Sequence, residues 1–182
     1  MNIKKLSIPD VLLLTQSIFK DARGVFLETY RQSDFIGAGI GPNFVQDNHA
    51  GSKQGVLRGL HYQIQQAQGK LVRVVTGEIF DVAVDLRKSS KTFGNMIGIL
   101  LDDKKKEQLW IPPGFAHGYY VLSEWAEVSY KVTDYYAPEW ERTLFWNDLD
   151  LKINWPLIAG EEPFLSENDN RGKNLKDAEV YE

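Results

Sequence analysis

The chain has no cysteine among its 182 residues. That absence excludes a disulfide framework, a thiolate zinc site, an iron–sulfur cluster and a cysteine nucleophile. Basic charge is not in excess either: 21 Lys and Arg stand against 25 Asp and Glu, for a net charge of -4. No global field exists to hold nucleic acid, so an anionic ligand has to bind in a local cleft. Long apolar runs are also missing. After Lys4 and Lys5 the hydrophobic stretch is broken by Pro9 and Asp10, and Val11 to Leu14 is too short for a signal segment or a membrane span. The expectation is a cytoplasmic protein with no membrane partner. No repeat, low-complexity tract or linker divides the chain. Its length suits one domain over 1–182, and 43% hydrophobic with 25% charged residues is a globular balance.

What is present is alternation. In the stretch from Glu78 to Leu86, residues 80, 82, 84 and 86 are apolar while 81 and 85 are acidic, the pattern of a half-buried strand. Similar runs occupy Lys70 to Val75, Met96 to Leu101, Gln108 to Ile111, Gly118 to Leu122, Ala126 to Val132 and Arg142 to Trp146. Short strands at this spacing imply a mainly β fold, a sandwich or barrel. Thr76-Gly77 supplies a hairpin turn and Pro112-Pro113-Gly114 a rigid corner. Helical periodicity is confined to Ser33 to Ile36, with Ser33 as the cap, and to the segment near Asp177. After about residue 156, Pro156, Pro163 and many charges predict a segment that wraps over the barrel with little regular structure.

The polar residues cluster in Gln46-Asp47-Asn48-His49, in Arg58-Gly59-Leu60-His61-Tyr62-Gln63 and in Gln68-Gly69-Lys70. If Leu57 to Gln63 is a strand, period two sets Arg58 and His61 on opposite faces, and Gly59 is the residue that could bend the strand to bring them together. Histidine's ordinary pKa lies near neutrality, which makes His61 the natural general base. A second histidine, His117, follows the proline corner and is expected to face inward with Phe115 and Tyr119. Two inward histidines in a small barrel raise the possibility of a metal site. Such sites resemble a strand with two histidines one residue apart and a glutamate soon after, whereas the first pair here is His61 and Gln63 and no acidic residue lies between His61 and Glu78. A three-ligand set is poorly supplied. Tyr130 reads as a core tyrosine, Trp146 and Trp155 as core plugs, and Tyr135 or Tyr136 as a loop ring able to stack on a flat base. The run Ser166 to Arg171, taken by itself, reads as a solvated loop.

The order and spacing of several motifs carry a resemblance. They are Asp21-x-Arg23-Gly24 with Phe26 and Glu28, Gln46-Asp47-Asn48, Arg58-Gly59-Leu60-His61, Gly69-Lys70 and Asp81 to Arg87. Further on come Ile111-Pro112-x-Gly114-Phe115-Ala116-His117-Gly118, Tyr130-Lys131, Trp146-Asn147-Asp148 and Leu165-Ser166-Glu167-x-Asp169. From about Ile8 to Arg171 the chain resembles the dTDP-4-dehydrorhamnose 3,5-epimerase family. The resemblance implies a cupin-like jelly roll and epimerisation at C3 and C5 of dTDP-4-dehydro-6-deoxy-D-glucose, in dTDP-L-rhamnose biosynthesis. It implies no cofactor, no metal and a homodimer whose N-terminal strands pair across the sheets.

On the matching positions the resemblance makes His61 the base, with Asp169 orienting it, and Tyr130 the acid on the opposite face. Lys70 would stabilise the enolate oxygen. Arg23, Arg58 and His117 would hold the diphosphate and sugar; Glu28 and Gln46, Asp47 and Asn48 the base and ribose side; and Tyr136 would stack on thymine, with Glu141 nearby. Asn168 departs from the family's usual lysine, which removes a substrate contact that Arg171 could replace. Two other functions stay open on the sequence alone: a single-centre epimerase of a related keto-sugar, and a non-catalytic nucleotide-sugar-binding module.

Overall fold

The computed structural model describes residues 1–41 and 43–182. Its elements in chain order are β1 (Asn2–Lys5), β2 (Leu12–Thr15), β3 (Ile18–Asp21), β4 (Gly24–Leu27), α1 (Gln32–Gly37), β5 (Gln46–Lys53), β6 (Leu57–Gln63) and β7 (Lys70–Thr76). They continue with β8 (Glu78–Asp85), β9 (Met96–Asp102), β10 (Gln108–Ile111), β11 (Phe115–Val121), β12 (Trp125–Val132), β13 (Glu141–Thr143) and α2 (Glu167–Asn170). Two sheets face each other, one ordered β1-β2-β10-β7-β12-β5 and the other β13-β6-β11-β8-β9, and β3 with β4 forms a separate hairpin. The fold is a jelly-roll sandwich, mainly β as the alternation predicts.

Alternation explains the three layers of packing. Inward residues of the two sheets, including Val72, Val74, Leu109, Val128, Ile79, Phe115 and Val121, form the central core. The other face of the five-stranded sheet is buried as well. There Val82, Val84, Ala116 and Tyr120 meet Trp146, Leu151 and Trp155 from the segment beyond β13. Each fully buried large aliphatic or aromatic side chain contributes roughly 1.5–3 kcal/mol, and with both faces of the sheet covered all seven residues of β11 are buried. On the outer face of the six-stranded sheet, Phe35 and Ile40 cover Leu14, Leu71 and Trp110.

The last thirty residues strap the five-stranded sheet. Phe164 bridges Val56, Lys173 bridges Leu144 and Tyr181 bridges Arg87. Three local expectations change. Ser33 lies inside α1 and caps nothing: the N-cap is Arg31, with no side-chain capping bond, and Phe35 is the buried anchor. The strand expected from Arg142 to Trp146 is β13, which ends at Thr143; Leu144 still exchanges hydrogen bonds with Leu60 of β6, while Lys173 bridges to it from the C-terminal segment and accepts from the Phe145 N–H. The segment from Ser166 is a capped turn of helix with a buried Asp169, not a solvated loop. No helix among the described residues is long and apolar enough to cross a membrane.

Candidate active site

A cavity of about 320 Å³ opens between the two sheets. The five-stranded sheet supplies Arg58, His61 and His117 to it, and the six-stranded sheet supplies Gln46, Asn48, Lys70 and Tyr130. Arg58 and His61 reach it together because β6 carries an extra residue. His117 of β11 stands opposite His61 and Tyr119 opposite Arg58, so three steps on β6 match two on β11. Gly59 in that bulge has φ +115°, and a Cβ there would come within 2.6 Å of the Gly118 Cα and the His117 carbonyl oxygen. No other residue fits that close approach of two strands.

His61 Nε2 meets Asp169 Oδ1 at 2.6 Å. The same oxygen accepts from the Gly59 N–H at 3.1 Å, and Oδ2 accepts from the Ser166 hydroxyl at 2.7 Å. Burial alone would raise the Asp169 carboxyl, but hydrogen bonds from His61 and Ser166, the charge of His61 and the Gly59 N–H outweigh it and hold the pKa below the usual carboxylate range. The carboxylate therefore keeps one orientation and fixes that of the ring. With Nε2–H donated to Asp169, a neutral His61 presents Nδ1 as its free lone pair.

Lys70, at the start of β7, is buried, and burial pushes its ammonium down to about 8 against the opposing pull of Glu141 and Asp81. Its neighbour across the cavity is a second pair: His117 Nε2 lies 3.0 and 2.9 Å from the two oxygens of Asp81. Asp81 is wholly buried, and burial raises its carboxyl despite His117 and Lys70. The Tyr130 phenol is raised by burial and by Glu141, with Arg58 opposing. At the mouth, the Tyr136 ring is half exposed; its hydroxyl donates to Glu141 at 3.0 Å and its N–H to Gln46 at 3.1 Å.

Three expected site residues stand elsewhere. Asp47 sits between Gln46 and Asn48 on β5, so period two turns it to the outer face, where both its oxygens accept from Lys131 Nζ at 2.9 Å. Arg23 is on the projecting β3–β4 hairpin, 90% exposed and paired with Asp21 at 2.6 Å. Glu28 follows that hairpin and pairs with Arg31 at 2.9 Å. Asn168 and Arg171 line a neighbouring groove with Tyr62 and Glu141. The sequence reading missed Asp81 and Tyr119 as site residues, along with Gln63, whose amide donates to the Gln66 and Tyr135 carbonyls and accepts from the Ala137 N–H. The signal was available for Gln63, which shares a strand face with His61 two residues earlier. Each cavity histidine is held by one aspartate, and no group of three or more His, Asp or Glu side chains able to hold a metal occurs among the described residues.

The sequence profile described as dTDP-4-dehydrorhamnose 3,5-epimerase matches residues 5–177. The chain belongs to that family. A Pseudomonas aeruginosa protein named as this 3,5-epimerase is 56% identical over 182 residues, covering 100% of this chain and 99% of its own. One from Shigella flexneri is 50% identical over 183 residues, covering 100% and 99%. The crystal structure of the Legionella pneumophila 3,5-epimerase in complex with dTDP-4-keto-L-rhamnose superposes with a TM-score of 0.94 at 48% identity, covering 98% of this chain and 94% of that one. Members of the 3,5-epimerase family are isomerases.

Proposed function

We propose that the protein inverts C3 and C5 of dTDP-4-dehydro-6-deoxy-D-glucose to give dTDP-4-dehydro-L-rhamnose. The observation that carries this reading is the entry of His61 and Tyr130 into one cavity from opposite sheets. Both reacting carbons adjoin the C4 ketone, which acidifies their hydrogens. His61 removes the proton from one face and leaves an enolate. Asp169 stabilises the imidazolium that results, as a carboxylate does for any histidine base that it orients. The Lys70 ammonium stabilises the enolate oxygen, where a preorganised cation lowers the barrier most. Tyr130 then delivers a proton from the other face, and the carbon is inverted.

Binding follows from the rest of the lining. Arg58 suits the diphosphate because its planar fork matches two oxygens, and His117 lies beside it for the sugar. Gln46 and Asn48 serve the ribose side, while Tyr136 stacks on thymine with Glu141 holding its hydroxyl. The reaction needs no redox cofactor and no metal, since the ketone itself acidifies its neighbours. The same proposal takes residues 1–182 as one domain acting in the cytoplasm as a homodimer. In the dimer the projecting hairpin brings Arg23 and Glu28 toward the site of a second copy.

Proton NMR of the reaction in deuterated water tests the reading. The protein should place deuterium at both C3 and C5 of dTDP-4-keto-6-deoxyglucose and yield the L-configured product. Label at one carbon alone would make it a single-centre epimerase; binding without any label would make it a binding module.

A further inference from the structure

Among the described residues, one buried side-chain polar atom has no hydrogen-bond partner: the hydroxyl of Tyr119. Unpaired buried hydroxyls are costly and rare, and phenylalanine would fill the same space without that cost. The position of the side chain gives the hydroxyl a purpose. Tyr119 on β11 stands directly opposite Arg58 of β6 on one side and Asp81 of β8 on the other, so the three form one row on the inward face of the sheet. It lines the cavity with Tyr130 and is 4% exposed. The Ser52 hydroxyl beside it accepts from Arg58 Nε at 3.0 Å and does not meet the phenol in hydrogen-bond geometry. Burial pushes the Tyr119 phenol up to about 12, with Arg58 and the nearby Ser52 hydroxyl pulling it down and Tyr130 and Asp81 adding to the rise. Tyr119 therefore remains a protonated donor at any working pH.

We infer that Tyr119 is a positioning residue for the inverting proton transfer, its hydroxyl donating to the Tyr130 oxygen when that oxygen becomes a phenolate. This rests on the proposed role of Tyr130 as the acid. In that step the Tyr130 O–H bond breaks and its proton forms the new C–H bond with the electron pair of the enolate. The negative charge passes from the enolate oxygen beside Lys70 to the Tyr130 oxygen, and water later returns the proton. A phenolate in a largely buried site needs compensation. Arg58 supplies charge, and Tyr119 supplies a hydrogen bond to an atom that is negative only at this stage. Interactions that strengthen only along the reaction raise kcat and leave substrate binding alone.

The test is Tyr119→Phe, with Tyr130→Phe measured in parallel. The variant should be at least as thermally stable as the wild type, because only an unpaired hydroxyl is lost. Its KM and its rate of deuterium wash-in on the His61 face should stay within about twofold, while kcat for inversion falls on the order of 10-fold to 100-fold, the scale of losing one donor at a developing charge. The alkaline titration of Tyr130, isolated as the ultraviolet difference between proteins with Tyr and with Phe at 130, should move to higher pH in the Tyr119→Phe background. Unchanged inversion, an equal loss of wash-in and inversion, or a raised KM at constant kcat would each overturn the inference. If Tyr130→Phe itself inverts at the wild-type rate, the assignment of the acid fails and the inference falls with it. Loss of inversion in Tyr130→Phe but not in Tyr119→Phe overturns the inference alone.

Discussion

Lys70 is the residue whose environment makes the clearest demand on pH. Burial brings its ammonium down to about 8 from the model-compound value of 10.5, so the charged form, which the enolate needs, dominates below about 8 and is lost above it. The turnover of the wild type should fall as pH rises through about 8. Folding runs the other way: between about 8 and 10.5 the unfolded chain binds the extra proton, so the contribution of Lys70 to stability grows with pH over that window. Lost activity there without a lower melting temperature marks titration rather than unfolding. Lys70→Arg keeps its charge throughout and should lose the limb near 8, even if its turnover is lower. A limb that stays at about 8 in Lys70→Arg would show that another group titrates. Nothing in the sequence around Gly69-Lys70 announces this shift, because it comes from sheets that meet only in the folded chain.

The β3–β4 hairpin makes the demand at the scale of elements. It pairs with neither main sheet, and its Phe19, Val25 and Phe26 are 63%, 52% and 69% exposed. A short hairpin is marginal by itself, and Phe19 and Phe26, which stand opposite each other across its two strands, are the exposed apolar pair that the proposed dimer would cover. Sedimentation should find a dimer, and the double variant Phe19→Ser with Phe26→Ser should shift it toward monomer and lose turnover. A wild-type monomer with full activity would remove the dimer from the account. The elements that were legible in the sequence are the short apolar runs bounded by turn residues: β7 to β12 stand where those runs place them, with β11 starting three residues earlier than expected. The N-terminal strands and β5 were not legible. β1 is exposed throughout, and β5 reads Gln-Asp-Asn-His-Ala-Gly-Ser-Lys with no apolar stripe, because its inward residues line a polar cavity instead of the core. The helix α2 was hidden for a related reason: Asp169 looks like a surface acid until the capping box and His61 together bury it.

Over the whole molecule, an acidic chain concentrates positive charge where it is needed. Arg58 and Lys70 converge between the sheets of a protein with net charge -4, which reconciles a poor overall field with an anionic substrate. In the proposed mechanism the two-sheet architecture also sets the two-faced chemistry, since the proposed base His61 comes from one sheet and the proposed acid Tyr130 from the other. The central claim is that division of labour. It is tested most directly by following deuterium exchange and product configuration together in His61→Ala and Tyr130→Phe. The account predicts that His61→Ala loses both exchange and inversion. Tyr130→Phe should still exchange, because His61 and Lys70 remain, but return the proton to the original face without inversion. Inversion at the wild-type rate in Tyr130→Phe, or rapid exchange in His61→Ala, would contradict it.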